Sequence, residues 1–334
     1  MDYEVFTLAQ AEATLASAPF QTHPRMTQIA MAERPKDFIA DMVMPIVKAA
    51  YKFKYTKGTN DDQFSIPDTR ATRSGRLGEV EFGATLADGS TEDRGLVCYI
   101  PYRDINEARQ QQSAWDPVAQ ASMGLGQLMM LDREKRVADK VFDSDNYANG
   151  LSSILAGDAQ WSSAASDPLK AILAALDLCI TRPNALVFGN PVWTQFRQHP
   201  RIVEAVKATG AGAGGAGAQA AGVVSRRAVA ELFEVDHVLV GATWHNRAAR
   251  GQAVDMQRLW GKHAAALHIR RPTGTQDNMP TWGFTAEAMA REVALSEEPT
   301  RGVGRGSRAM KISESCEEIV SWESAGYLWR NAVA

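Results

Sequence analysis

Residues 116–143, DPVAQASMGLGQLMMLDREKRVADKVFD, set the architecture of this chain. Asp116-Pro117 is a helix start, an N-cap followed by proline at the first helical position. Apolar side chains then recur on one face at helical spacing: Val118, Ala121, Leu125, Leu128, Val137, Ala138, Val141 and Phe142. The pattern predicts one helix that ends near Asp143 and spans about 40 Å at about 1.5 Å per residue. Gly124 and Gly126 each weaken its interior by about 1 kcal/mol, so packing must hold the helix straight.

Downstream of this helix, helical and strand patterns alternate. Asp167-Pro168 repeats the helix-start signal, and a second, shorter helix is marked by Leu169, Ile172, Leu173 and Leu176. Further helices are expected from Asn190-Pro191, after Pro200 and at Ser225–Phe233. Strands are expected at Ala185–Gly189, Val238–Gly241, Leu259–Trp260 and Ala265–Ile269. These segments predict a mixed α/β domain at 182–280, followed mostly by strands in 282–295 and 308–334.

Residues 1–45 are typical of an extended arm. A short helix is expected near residues 7–17, and four prolines then break the segment into extended pieces and short helices. Its best-structured portion is 37–47, where five apolar residues recur at helical spacing: Phe38, Ile39, Met42, Val43 and Ile46. We expect this face to dock on a core formed elsewhere in the chain.

Residues 51–100 change to a period of two and to turn residues. Aromatic residues alternate with polar ones over Tyr51–Thr56, and a second alternating segment follows at Glu79–Phe82. No helix is expected here. About fifty residues of polar strand and turn bury little core, so the pattern predicts a projecting β-hairpin or loop.

The charges of this projection are segregated. Basic residues prevail between Lys48 and Arg76, and acidic residues prevail between Leu77 and Asp104. One interpretation is that the two halves neutralise each other across a hairpin and that the other charges are solvated. The alternative is that the projection lies over a neighbouring subunit and uses its charges to fix the register. On this second interpretation the candidate assembly residues are Lys52, Lys54, Arg70, Arg73, Arg76, Glu79 and Glu81.

The overall charge and the cysteines limit the function classes. The 334 residues carry a formal charge of −3, so composition does not predict strong counterion-release binding to nucleic acid. The N-terminus is acidic where a secretory signal is basic, and no apolar run approaches the length of a membrane span. Cys98, Cys179 and Cys316 are far apart and match neither a disulfide framework nor a zinc site. We therefore expect a protein of the reducing cytosol.

Motifs for catalysis and cofactor binding are weak. Gly210, Gly212 and Gly215 have the G-x-G-x-x-G spacing, but a dinucleotide site needs a strand before the glycines and a helix after them. A helical pattern precedes these glycines and more Ala/Gly follows, so we expect a low-complexity loop. No motif assigns the histidines to catalysis or metal binding. Structural roles are expected for His199, His237, His245, His263 and His268. We predict no catalytic residue, cofactor or metal.

The order of these segments resembles the major capsid proteins of tailed bacteriophages with the Hong Kong 97-type fold. The segments that carry the resemblance cover most of residues 29–270. They are Phe38–Pro45 (FIADMVMP), Phe64–Arg70 (FSIPDTR), Gly78–Gly83 (GEVEFG), Leu131–Asp139 (LDREKRVAD), Arg182–Gly189 (RPNALVFG) and Trp260–His263 (WGKH).

The resemblance implies an α+β fold with named parts. These are an N-terminal arm at 1–47, an extended β E-loop at 48–103, a P-domain with the long spine helix at 104–181, an axial A-domain at 182–280, and C-terminal strands at 281–334 that complete the P- and A-domains. Loops of the A-domain would meet around five-fold and six-fold axes. We expect Ala208–Gly222 to be such a loop, because small residues tolerate both pentamer and hexamer packing.

The resemblance also implies a structural, non-enzymatic function. Subunits would assemble as pentamers and hexamers into an icosahedral or prolate shell that encloses double-stranded phage DNA without sequence-specific binding. The other implied partners are a portal, a decoration protein where one exists, and a scaffolding protein. Scaffolding is expected from a separate protein because no long helical extension precedes the arm. The expected location is the virion capsid, assembled in the bacterial host cytoplasm without a membrane.

Covalent cross-linking is a further property of some members of this fold. It joins an E-loop lysine to a P-domain asparagine with help from a glutamate. Lys52, Lys54 and Lys57 lie in the corresponding region, but no partner asparagine matches by motif. We do not expect cross-linking, and shells that dissociate to monomers on denaturing gels would exclude it.

The sequence is also compatible with two other functions. An encapsulin-like compartment would have the same fold and enclose enzymes, so particle diameter and nucleic-acid content would distinguish it from a phage head. A cytosolic α/β enzyme would use the 182–280 domain, and its purified form would be a monomer with a ligand-filled cleft.

Overall fold

The chain contains both helices and strands. The computed structural model describes residues 20–32, 37–58, 66, 69–70, 85–111, 115–209, 223–249, 251–304 and 306–334. The helices are α1 (Pro24–Ala32), α2 (Ala40–Val43), α3 (Tyr102–Gln110), α4 (Pro117–Val141), α5 (Pro168–Leu178), α6 (Asn190–Phe196), α7 (Pro200–Thr209) and α8 (Arg226–Phe233). Short 3₁₀ turns lie at Ser144–Asn146 and Gly157–Ala159.

The strands of the described residues are longest near the end of the chain. They are β1 (Gln21–Thr22), β2 (Ile46–Lys48), β3 (Lys52–Lys57), β4 (Thr85–Ser90), β5 (Glu92–Pro101), β6 (Ser152–Ile154), β7 (Ala185–Gly189), β8 (His237–Gly241), β9 (Trp244–Asn246), β10 (Met256–Arg258), β11 (Ala264–Leu267), β12 (Gly283–Glu298), β13 (Ser307–Val320) and β14 (Gly326–Arg330).

The chain forms two compact units, each built from three segments. Unit 1 comprises Met1–Pro35, Glu92–Asp132 and Ala288–Cys316. Unit 2 comprises Lys36–Thr91, Arg133–Glu287 and Glu317–Ala334. Helix α4 and strands β12 and β13 each contribute residues to both units.

Helix α4 begins as the sequence predicts. The Asp116 carboxylate accepts the backbone N–H of Val118 at 2.9 Å, which satisfies one of the free donors of the first turn. The helix ends at Val141, two residues before the predicted end. In unit 1 it packs closely on α1, where a Cβ atom added at Gly126 would lie 2.4 Å from the backbone oxygen of Ala30.

Unit 1 packs helices on an antiparallel sheet. Its strands follow the order β1-β12-β13-β5, and β5 pairs with β13 from Pro101↔Ser307 to Glu92↔Cys316. Helix α3, which the sequence analysis missed, buries Ile105 and Ala108. Its sequence signals are the spacing of these two apolar residues and the Arg103–Glu107 ion pair one turn apart.

Unit 2 is built on a sheet with the order β6-β14-β11-β7-β8. Side chains of successive residues point to opposite faces, so the sheet separates two cores. Leu186 and Phe188 of β7 face a core covered by α5 to α8, while Val187 faces a core that includes the second half of α4. The predicted strands at 185–189 and 238–241 and the helices around them are confirmed.

The predicted strand at Leu259–Trp260 is wrong, because these residues form a tight turn. Gly261 has φ +54°, a left-handed conformation that ends any extended segment. The turn places Trp260 over the end of β8, where a Cβ atom on Gly241 would lie 2.1 Å from the indole ring. The nearby strand expected at Ala265–Ile269 is observed as Ala264–Leu267.

The expected helical face at 37–47 is only partly correct. Helix α2 is a single turn, and Pro45 precedes strand β2, which contains Ile46. Ile39 and Val43 are buried in the core of unit 2, as expected for a docked segment, but Met42 is 60% exposed. The short helix expected near residues 7–17 lies outside the described residues.

Candidate assembly surfaces

The base of the predicted projection is a two-stranded ribbon formed by β3 and β4. The strand predicted over Tyr51–Thr56 is confirmed as β3. Phe53 and Tyr55 pack on a small apolar cluster of unit 2 that contains Val47 and Phe284. Gly89 lies opposite Phe53, and a Cβ atom there would be 2.8 Å from the phenyl ring. One face of the ribbon is thus fixed to its own subunit.

Lys52 and Lys54 lie on the other face of the ribbon. They pair across the strands with Ser90 and Asp88, and a shallow groove of about 480 Å³ runs between them. The Lys54 Nζ is 4.0 Å from an Asp88 oxygen, and both side chains are mostly exposed, so this ion pair contributes little stability. Lys52 has no acidic partner in the part of the chain that the structure describes. This face is available to a neighbour.

Other lysines near the ribbon are engaged inside their own subunit. Lys57 contacts Glu323 at 2.8 Å, and the hydrogen bond and charge of that carboxylate raise the pKa of Lys57. Lys48 contacts Glu287 at 2.6 Å. Lys52 and Lys54 on the outward face therefore differ from Lys48 and Lys57, because they make no close ion pair within the described part of the subunit and can contact a neighbouring one.

Of the other predicted assembly residues, one lies within the described part of the chain. Arg70 is exposed. The remaining four predicted residues, Arg73, Arg76, Glu79 and Glu81, lie outside the described residues. The glycine loop at 210–222 does so too, although helix α7 precedes it where a dinucleotide site requires a strand.

Glu134 anchors the arm segment, a role that the sequence analysis missed. Its side chain is 1% exposed, and its two oxygens accept the backbone N–H groups of Ile39 at 2.8 Å and Ala40 at 2.9 Å. The indole N–H of Trp260 also donates to it at 2.8 Å. Burial raises the pKa of Glu134, the three donors oppose that shift, and the charge of Asp41 adds to it.

Two arginines beside Glu134 on α4 form ion pairs with other parts of unit 2. Arg136 forms a two-point pair with the Glu318 carboxylate at 3.0 Å for each contact, and Glu318 is buried. Arg133 contacts Asp41 at 3.2 Å. The charged run of this helix thus connects the arm segment and strand β13 rather than facing only solvent.

Several histidines have structural partners, as expected. His199 Nε2 lies 3.2 Å from Ser166 Oγ and 3.1 Å from the Ser163 oxygen. His263 Nδ1 accepts the backbone N–H of Asn331, and burial together with Arg330 lowers the pKa of His263. His268 Nδ1 lies 2.9 Å from the Arg182 oxygen. All three cysteines are free thiols.

The described ranges contain no candidate metal site and no candidate membrane-spanning helix. No group of three or more His, Cys, Asp or Glu side chains there is arranged to hold a metal ion. No helix there is long and apolar enough to cross a membrane.

Known proteins identify the family. No protein-family model matches the chain. The major capsid protein of Pseudomonas phage JBD67 is 36% identical over 321 residues, covering 96% of this chain and 100% of that protein. The chain belongs to the phage major capsid protein family. The major capsid protein of Burkholderia phage BcepMu is 25% identical over 276 residues, covering 78% of this chain and 82% of that protein.

Solved structures share the fold of this capsid protein. A phage-related protein from Bordetella bronchiseptica RB50 matches with a TM-score of 0.68 and 18% identity, over 94% of this chain and 98% of that one. The capsid structure of cyanophage P-SCSP1u matches with a TM-score of 0.50 and 12% identity, over 86% of each chain. The predicted α+β class and Hong Kong 97-type capsid fold are confirmed, and family membership implies a structural role in the virion capsid.

Proposed function

We propose that this capsid protein assembles with itself as pentamers and hexamers into an icosahedral or prolate shell that encloses double-stranded phage DNA. The observation that carries the proposal is the 36% identity to a phage major capsid protein over 96% of the chain. A confined genome needs no tight phosphate contacts, which agrees with the formal charge of −3. The protein acts without catalysis, and the shell forms in the host cytoplasm with a scaffolding protein, a portal and, where one exists, a decoration protein.

The proposed parts of the subunit follow the sequence predictions. They are the arm at 1–47, the E-loop at 48–103, the P-domain at 104–181, the A-domain at 182–280 and the completing strands at 281–334. The outward position of Lys52 and Lys54, together with the fixed position of Phe53 beneath them, supports an E-loop that contacts a neighbouring subunit. Arg70, Arg73, Arg76, Glu79 and Glu81 belong to the same proposed interface.

Negative-stain electron microscopy of the purified protein tests the shell. Closed particles are expected, and particles from infected cells are expected to contain double-stranded DNA. A protein that stays monomeric under all assembly conditions would contradict the proposal, and particles filled with enzymes would favour a compartment instead. Simultaneous charge reversal at Arg70, Arg73 and Arg76 is expected to impair assembly and leave the subunit soluble; normal shells from this variant would rule out the register role.

A further inference from the structure

Helix α5 buries one side in its own chain and exposes several apolar residues on its outward side. Ile172, Ala175 and Leu176 are buried in the core of unit 2. On the outward side, Leu173 is 43% exposed and Leu178 is 57% exposed. Lys170, Ala174 and Asp177 are exposed beside them. The outward side of α5 thus presents exposed apolar area beside charged residues, a mixture typical of interfaces with an apolar core and a polar rim.

The C-terminal end of α5 carries an unbalanced negative charge. Asp177 lies in the last turn, which contains no basic residue, and pairs with no cation among the described residues. The carbonyl groups at a helix C-terminus are already partly negative, so an acidic side chain there is unfavourable. Ile180, just beyond this end, is 53% exposed. A fitting partner is thus apolar and presents a cation beside Asp177.

The β9–β10 ribbon of the same unit has this chemistry on one face. The cross-strand pairs Trp244↔Arg258 and Asn246↔Met256 put these side chains on a common face. Trp244 is 48% exposed and Met256 is 51% exposed. The Arg258 guanidinium lies 4.0 Å from the centre of the Trp244 ring. Tryptophan and arginine are the residue types that most often dominate the binding energy of interfaces.

The two surfaces adjoin opposite sides of the central sheet of unit 2. Helix α5 covers the core that contains Leu186. The ribbon leads directly into Trp260, which lies in the other core, and Thr243 at the base of the ribbon donates to the Asp37 backbone oxygen at 2.9 Å. A ring of identical subunits requires such an arrangement, because each member contacts its two neighbours through two different surfaces.

We propose that the outward face of α5, formed by Leu173, Ala174, Asp177, Leu178 and Ile180, binds the ribbon face of a second copy of this chain, formed by Trp244, Val254, Met256 and Arg258. Arg258 of the ribbon lies beside Asp177 and the helix C-terminus, and Trp244 and Met256 cover the exposed leucines. Each copy uses both surfaces, so the contact repeats around a pentamer or hexamer. The inference rests on the proposed function, since it assigns a contact within the proposed rings.

Disulfide trapping tests the contact. Leu178→Cys and Met256→Cys are combined in one chain that also carries Cys98→Ser, and assembled shells are oxidised. Native Cys179 is buried, and burial raises its pKa to about 11, which disfavours the reactive thiolate. A ladder of covalent oligomers up to the size of the ring is expected on non-reducing gels. Either single variant is expected to stay monomeric, and a mixture of the two single variants is expected to stop at dimers.

The outcomes of disulfide trapping distinguish a failure of the proposed contact from a failure of the proposed function. Shells that form from the double variant but give only monomers on oxidation would overturn the contact and leave the shell proposal standing. Dimers from either single variant alone would also overturn it, because they indicate a symmetric contact. A wild-type chain that forms no shells would overturn the proposed function and the contact together. The pair Ala174→Cys with Val254→Cys is judged by the same criteria if the first pair prevents assembly.

A charge reversal with a matched control tests the role of Asp177. Asp177→Lys is expected to lower shell yield at least tenfold, because it places a cation against Arg258 of the neighbouring copy. The control is Asp158→Lys, which reverses an exposed acidic residue elsewhere in the same unit. Equal yields from the two variants would contradict the proposed position of Arg258.

Discussion

Trp260 and Glu134 are joined by a hydrogen bond of 2.8 Å from the indole Nε1 to a carboxylate oxygen. The same carboxylate caps the backbone of the arm segment at Ile39 and Ala40. One buried acidic residue on α4 therefore holds both the arm and the Trp260 turn. Three donors depend on this residue, which is 1% exposed.

Removal of this acceptor is expected to destabilise the subunit. Glu134→Leu leaves two backbone N–H groups and one indole N–H without a partner, and each buried orphan donor costs about 1–3 kcal/mol. We expect a loss of about 4 kcal/mol in the free energy of unfolding, measured by urea denaturation of the unassembled chain. Trp260→Phe removes only one of the donors and serves as the control with a smaller loss. Wild-type stability in Glu134→Leu would show that the carboxylate is not needed.

The raised pKa of Glu134 predicts a pH dependence. Because the folded state holds the proton more tightly than the unfolded state, the folded state is favoured below the ordinary carboxyl pKa. That contribution is lost as the pH rises through the raised value. Glu134→Gln does not titrate, so its stability deficit relative to wild type is expected to shrink as the pH rises through this window. Parallel stability curves for the two proteins would contradict the predicted direction of the shift.

Two glycines of α4 are expected to respond in opposite directions to alanine. A Cβ atom at Gly126 meets the Ala30 backbone oxygen at 2.4 Å, so Gly126→Ala forces α1 and α4 apart at a cost of about 1–3 kcal/mol. At Gly124 no atom lies within 4 Å of the added Cβ, and Gly124→Ala is expected to gain up to about 1 kcal/mol from helix propensity. Thermal unfolding of both variants tests the contrast. A stabilising Gly126→Ala would disprove the close packing.

Local signals predicted much of the fold. Asp116-Pro117 fixed the start of α4, and the alternation over Tyr51–Thr56 predicted β3. The role of Glu134 could not be predicted, because it lies in a charged run and its backbone partners are 94 and 95 residues away. The Trp260 turn depends on the left-handed conformation of Gly261 and on the absence of a side chain at Gly241. The hydrophobic pattern of the sequence predicts neither feature. The apolar residues of α5 likewise do not show whether a side of the helix is buried by its own chain or by another copy.

Substitutions of different E-loop lysines are expected to affect subunit stability and shell assembly differently. Lys57→Glu breaks the contact with Glu323 inside the subunit, and because both groups are partly exposed we expect a loss of no more than about 1 kcal/mol in the free energy of unfolding. Lys52→Glu combined with Lys54→Glu removes the weak contact with Asp88 and places a carboxylate across from it, and because these side chains are mostly exposed the cost to subunit stability is expected to stay below about 1 kcal/mol.

Shell yield is expected to fall strongly in the Lys52/Lys54 double variant, because both reversed charges lie on the outward face of the ribbon. Urea denaturation of the unassembled subunit and electron microscopy after assembly measure the two effects separately. The expected result is a stable, soluble subunit that does not form shells. If the double variant assembles normally, these lysines have no role in the interface; if it unfolds more easily than Lys57→Glu, their role lies within the subunit.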